Sequence, residues 1–224
     1  MKARAKFGPF AEHMLFTPAG LEQATRLNVA ALHAQRYQEA GLEKVADLGC
    51  GIGADSLALA TLDRQVTAVE LDEITAAVAT INLMPWPEAT VVQGDAESFD
   101  LTGFDAVWLD PARRTTSTSG TSRIFDPEAF SPPLSFVESL ADRGMPVGVK
   151  LGPGIPHESV PAGCEVQWVS VGGDVIEATL WFNELRRPGI RRAALVIGPN
   201  GAAELTSHED YVPGAQDVRT GPAE

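Results

Sequence analysis

Apolar positions along the chain alternate between a spacing of three to four and short unbroken runs, the pattern of helices alternating with buried strands. Leu21, Ala24, Leu27, Ala31 and Leu32 share one helical face. Thr17-Pro18 starts that helix, with threonine as N-cap and proline at the first helical position. The spacing predicts a helix to about Tyr37, preceded by loosely structured residues 1–16. Val45 to Leu48 is an apolar strand, followed by a turn with Gly49, Gly51 and Gly53 and a helix from Asp55. Further strands are expected at Gln65 to Glu70, Thr90 to Gln93, Phe104 to Asp110 and Pro146 to Leu151. Ile74 to Leu83 is helical, stopped by Pro85 and Pro87, and Asp126 to Phe130 with Leu134 to Leu140 supply a covering helix. Strands alternating with helices point to an α/β fold with a mostly parallel sheet and helices on both faces.

The pattern changes after Leu151. Glu165 to Val171 and Val175 to Glu184 are apolar strands joined around Gly172-Gly173, a hairpin by its turn chemistry. Arg192 to Ile197 and Ala202 to Leu205 flank Gly-Pro-Asn-Gly and form a smaller hairpin, and from Ser207 the chain turns polar. Three parts are therefore expected: an N-terminal helical segment (1–39), an α/β domain (40–185), and a hairpin with a polar tail (186–224) that reads as the start of a further module.

The glycine turn is the centre of the chemistry. Glycines are needed where a chain turns sharply and where a ligand must approach the backbone. The helix that follows offers free N–H groups to polar ligand atoms. Two nucleotide-cofactor readings fit. Gly49-x-Gly51-x-x-Ala54 matches a dinucleotide fingerprint, with Glu70 at the spacing that holds ribose. Asp47, Gly49, Cys50, Gly51 and Gly53 form instead the run Asp-x-Gly-x-Gly-x-Gly. In either reading Glu70 accepts from the ribose hydroxyls, Leu71 offers an apolar side chain to adenine, and Asp95-Ala96 lies at the next strand end. Asp110-Pro111 ends the fourth strand, where open α/β sheets bind ligands.

Composition narrows the classes. No apolar run is long enough to span a bilayer. The basic N-terminus lacks a following apolar stretch, so no signal peptide is read. Two distant cysteines, Cys50 and Cys164, suggest neither a disulfide framework nor a metal site, and a cytoplasmic setting is expected. His13, His33, His157 and His208 are scattered, so no metal is expected. The net charge of −13 opposes binding of phosphate chains unless cations are segregated. Arg113, Arg114 and Arg123 cluster around a Thr/Ser-rich loop at 115–122, and Arg186, Arg187, Arg191 and Arg192 form a second group.

Asp47–Gly53, Glu70, Gly94-Asp95-Ala96 and Asp110-Pro111-Ala112-Arg113, in that order, resemble the class I S-adenosylmethionine-dependent methyltransferases. The resemblance implies a Rossmann-like, seven-stranded, mostly parallel sheet closed by an antiparallel hairpin, with S-adenosyl-L-methionine as cofactor. Phe16-Thr17-Pro18 and Val149-Lys150-Leu151-Gly152-Pro153-Gly154 resemble, more narrowly, bacterial methyltransferases with a THUMP-like C-terminal domain, relatives of trimethylguanosine synthase. On this resemblance Asp110, Pro111 and Arg113 act at the reacting centre. Phe16, Thr17, Arg113, Arg114, Arg123 and Lys150 face the acceptor, expected to be a nucleobase in a structured RNA. Enzymes that methylate base amines carry a second proline and an aromatic where this chain has Ala112 and Arg113. A small-molecule acceptor, or a cofactor-binding protein with lost activity, are the alternatives.

Overall fold

The computed structural model describes residues 2–113 and 126–208. Nine strands form one sheet: β1 (Lys44–Leu48), β2 (Gln65–Glu70), β3 (Ala89–Gln93), β4 (Ala106–Leu109), β5 (Val147–Leu151), β6 (Glu165–Val171), β7 (Asp174–Phe182), β8 (Ile190–Gly198) and β9 (Gly201–His208). Their order is β9-β8-β6-β7-β5-β4-β1-β2-β3. The run from β3 to β5 is parallel throughout, and β7 enters antiparallel between β5 and β6. The strands expected from the sequence are present, but the sheet has nine strands rather than the seven the resemblance implied, because the second hairpin extends it through β8, which pairs parallel with β6. Gly172 and Gly173 take φ of 62° and 97°, the paired left-handed conformation of a tight hairpin turn, which a β-carbon would strain.

Among the described residues six helices accompany the sheet: α1 (Lys2–Phe7), α2 (Pro18–Gln23), α3 (Leu27–Glu39), α4 (Ala54–Thr61), α5 (Glu73–Leu83) and α6 (Leu134–Asp142). Alternate residues of β4 serve opposite layers. Val107 and Leu109 pack with Val137 and Leu140 of α6, while Trp108 packs with Ala30, Ala34 and Tyr37 of α3. Strand alternation thus sets the two faces. A β-carbon on Gly148 of β5 would lie 2.6 Å from the Tyr37 hydroxyl, 2.7 Å from Trp181 and 2.8 Å from Trp108, so glycine is required by this aromatic packing.

Three local expectations change. The helix expected from Thr17 to Tyr37 is broken at residues 24–26, which adopt extended backbone at Ala24 and Arg26. The break lets the Thr25 hydroxyl donate to Asp55 (2.7 Å) and exposes the Ala24 carbonyl to Lys6 Nζ (2.6 Å). Residues 2–12 are ordered as α1 and a 3₁₀ turn, anchored by Phe7, buried against Phe16 at 5.4 Å between ring centroids. Asn82 of α5 clamps the following segment through both the N–H and the carbonyl of Leu15 (2.7 and 3.0 Å). Finally, Pro127–Ala129 is a single 3₁₀ turn, and Phe130–Ser131 pairs with Ala112–Arg113 as a two-residue ribbon.

The second arginine group is structural. Arg187 binds Glu165 and Glu204, and Arg36 of α3 grips Glu165 with both terminal nitrogens (3.0 and 3.1 Å). Arg186 and Arg191 donate to carbonyls of residues 160–164. These cations tie the second hairpin to the sheet.

Candidate active site

Strand order reverses between β1's two neighbours, β2 and β4, and the crevice at such a point collects ligands. The β1–α4 turn builds it. Gly49, Gly51 and Gly53 all have left-handed φ (85°, 57° and 89°), and the N–H groups of Gly49 and Cys50 both bond Val69 O (2.8 and 3.0 Å). A β-carbon on Gly51 would meet nothing within 4 Å, leaving that face open to the cleft. α2 forms the opposite wall. A β-carbon on Gly20 would approach Ile52 to 2.5 Å, so only glycine lets α2 sit against the turn. Between them lies a cleft of about 920 Å³.

The cleft brings together Thr17, Gly49, Cys50, Gly51, Glu70, Leu71, Asp95, Ala96, Asp110, Pro111 and Lys150, all singled out from the sequence. Glu70 is aimed by its own backbone: Oε2 accepts from Gly51 N and Oε1 from Asp72 N, each at 3.0 Å. Leu71 is 65% exposed at the rim, an apolar surface left for a ligand. Asp95 caps a 3₁₀ turn through Glu97 N (3.0 Å), so the capping role and the cleft position coexist. Thr17 caps α2 through Gly20 N (3.0 Å).

Other residues are placed differently. Asp47 is 1% exposed, beneath the turn, where Oδ2 accepts from the Ser56 hydroxyl. Its Oδ1 is buried without a hydrogen-bond partner among the described residues. Burial, then the charges of Asp55 and Asp110, push its carboxyl well above the usual range. Gly53 caps α4, and a β-carbon there would press on Leu83 at 3.2 Å. Phe16 turns into the N-terminal core against Phe7, away from the cleft. For Arg113 the backbone is described, paired with Phe130. Arg114, Arg123 and the Thr/Ser loop lie outside the described residues.

Beneath Asp110 the structure reveals a buried polar chain that the sequence did not announce. Lys150 donates to Asp110 Oδ2 and to Thr25 Oγ1 (3.0 Å). Thr25 donates to Asp55 Oδ2, and Asp55 Oδ1 meets His33 Nδ1 at 2.8 Å. His33 Nε2 meets Glu177 Oε1, also at 2.8 Å. Burial disfavours the charged form of His33, but Glu177 and Asp55 outweigh it and raise its pKa to about 9. The imidazole is therefore a cation clamped by two carboxylates. Burial raises Asp110 to about 6 against the pull of Lys150, whose own pKa is held up by Asp110, Asp55 and Glu177. At neutral pH Asp110 and Lys150 form an ion pair. The available signals were a histidine on the apolar face of α3 and a glutamate inside a buried strand.

Residues 45–119 match the family model described as "Methyltransferase domain". Over 189 residues, 82% of this chain, it is 35% identical to an uncharacterized S-adenosylmethionine-dependent methyltransferase of Mycobacterium tuberculosis. It spans half the length of that relative. Residues 45–119 thus carry a match to a methyltransferase domain, on a Rossmann-like fold shared with methyltransferases. A proposed methyltransferase from Porphyromonas gingivalis W83 shares the fold, with a TM-score of 0.65 at 20% identity over 92% of this chain and 54% of that one. A proposed RNA methyltransferase from Pyrococcus horikoshii aligns with a TM-score of 0.53, at 20% identity, over 75% of this chain and 90% of that one. Among the described residues of the methyltransferase domain, no group of three metal-ligating side chains occurs and no helix is long and apolar enough to cross a membrane.

Proposed function

We propose that this domain transfers the methyl group of S-adenosyl-L-methionine to RNA. The residues at the cleft fit the cofactor. Glu70 presents both carboxylate oxygens, already oriented by backbone donors, for the ribose hydroxyls. Leu71 offers the apolar surface for adenine and Asp95 a carboxylate for its amine, while Gly51 leaves room for close approach. Bound there, the cofactor supplies an electrophilic methyl group. The chain must orient the acceptor, and alignment in the best intramolecular cases supplies roughly 7–11 kcal/mol. The observation that carries this reading is the Asp110–Lys150 pair, a fixed carboxylate and ammonium at the end of β4 where the cleft continues into a second chamber.

RNA is suggested by the likeness to the Pyrococcus horikoshii protein, a proposed RNA methyltransferase. The sequence suggested a nucleobase as target. A sugar hydroxyl is the second acceptor class: Lys6 and Lys150 line the chamber beside Asp110, while the aromatic Phe130 lines the cleft that Asp110 also borders. On the narrower resemblance to methyltransferases with a THUMP-like C-terminal domain, RNA contacts would come from a module following this domain. Titration calorimetry tests the cofactor: S-adenosylhomocysteine should bind with micromolar or better affinity and NAD(H) should not. The reverse result would defeat the reading.

A further inference from the structure

Beside the cofactor cleft lies a chamber of about 330 Å³, and Asp110, Lys150 and Thr25 belong to the wall the two share. Lys6 and Glu177 also line it. Each carboxylate bordering this chamber has its own cation: Glu22 has Lys2 at 2.7 Å, Asp110 has Lys150, and Glu177 has His33. Lys6 has two carbonyls instead, Glu22 O at 2.7 Å and Ala24 O at 2.6 Å. Those acceptors account for two N–H bonds. The remaining position on nitrogen holds a third proton in the ammonium and a lone pair in the amine. The groups facing Lys6 are Lys150 and Arg26, of like charge, and Asp110 and Glu22, of opposite charge. Burial, followed by Lys150 and Arg26, lowers its pKa from the usual lysine value.

We propose that this chamber receives a hydroxyl group as the methyl acceptor, the 2′-hydroxyl of an RNA ribose, and that Lys6 is the base that takes its proton. The inference rests on the RNA methyltransferase reading above. A hydroxyl is a poor nucleophile until its proton leaves, so this acceptor needs a base where an amine does not. The hydroxyl oxygen forms the new bond to the methyl carbon as the carbon–sulfur bond breaks and its electron pair stays on sulfur. The proton passes to the neutral Lys6 amine, so one sulfonium charge becomes one ammonium charge. Lys150, kept charged by Asp110, stabilises negative charge developing on the oxygen.

The test uses the full-length protein with tritiated methyl donor and total cellular RNA, followed by alkaline hydrolysis. Ribose methylation leaves the label in alkali-stable dinucleotides, the expected result. Label in mononucleotides would overturn the hydroxyl acceptor while keeping the RNA reading. Absence of label from RNA would overturn both. Lys6→Met and Lys6→Arg should each lower kcat at least 100-fold at neutral pH with unchanged S-adenosylhomocysteine affinity, the scale of acid–base catalysis. Rescue by Lys6→Arg would show that only the charge or the cap on α2 matters, and would refute the base. Without any cofactor, pH-dependent acylation by acetic anhydride, read by mass spectrometry, should give Lys6 a midpoint below 10.5. A midpoint at or above that value would also refute it.

Discussion

His33 offers the sharpest quantitative test of the buried chain beneath the active site. Its imidazole is 3% exposed and lies 2.8 Å from both Asp55 and Glu177. In the folded state its pKa is about 9, against 6.5 when unfolded. Between those values the folded chain holds one more proton than the unfolded chain, so stability falls as pH rises. The contribution is complete below about pH 6.5 and is lost as pH passes 9. A shift of about 2.5 units at 1.36 kcal/mol each corresponds to about 3 kcal/mol. Urea denaturation of the wild type from pH 6 to pH 10 should show this loss. Asp47 and Asp110 also have raised values, so the measurement is a comparison with His33→Leu, whose profile should be flatter by about that amount. His33→Leu itself should cost about 3–5 kcal/mol at pH 7, since Asp55 and Glu177 lose their shared cation. If the variant does not fold, NMR titration of the wild-type imidazole decides. A midpoint near 6.5, or parallel stability profiles for the two proteins, would refute the clamped cation.

Three further outcomes are expected. Glu70→Ala should weaken S-adenosylhomocysteine binding by about 1–3 kcal/mol while the fold persists, because a charge-assisted hydrogen-bond partner is lost; calorimetry showing unchanged affinity in a folded variant would place the ribose elsewhere. Gly148→Ala should destabilise by about 1–3 kcal/mol through overpacking against Tyr37, Trp108 and Trp181. An unchanged melting temperature would contradict that packing. Glu165→Leu should cost about 3–5 kcal/mol by leaving Arg36 without its carboxylate and Arg187 with Glu204 alone, and Arg36→Met in the same chain should recover part of it; simple additivity in denaturation experiments would mean the network is not coupled.

Much of this molecule is legible in one dimension because its signals are local. Asp47 to Gly53 announced the turn, since positive φ at closely spaced positions strongly favours glycine. Thr17-Pro18 announced the start of α2, and Gly172-Gly173 the hairpin that lets β7 run antiparallel. Glu70, Leu71, Asp95 and Asp110 follow strands, so parallel packing gathers them around one cleft at one edge of the sheet. Asp47, read from the sequence as a cofactor-side residue, lies instead under the cleft and supports α4 through Ser56.

What the sequence did not disclose depends on contacts between distant positions. Residues 2–12 show no strong periodicity, yet they are ordered because Phe7 finds Phe16 and Lys6 finds carbonyls sixteen and eighteen residues away. The break at residues 24–26 breaks no propensity rule; it follows from Thr25 reaching Asp55, thirty positions on. His33 and Glu177, 144 residues apart, look like a core histidine and a misplaced strand acid until the sheet brings them together. Local patterning determined the elements, their order and the glycine turn, because turns and periodicities are properties of neighbouring residues. Only the tertiary structure decided which buried charges meet, because a charge out of water is tolerable only beside its partner, and that partner is chosen by packing in three dimensions.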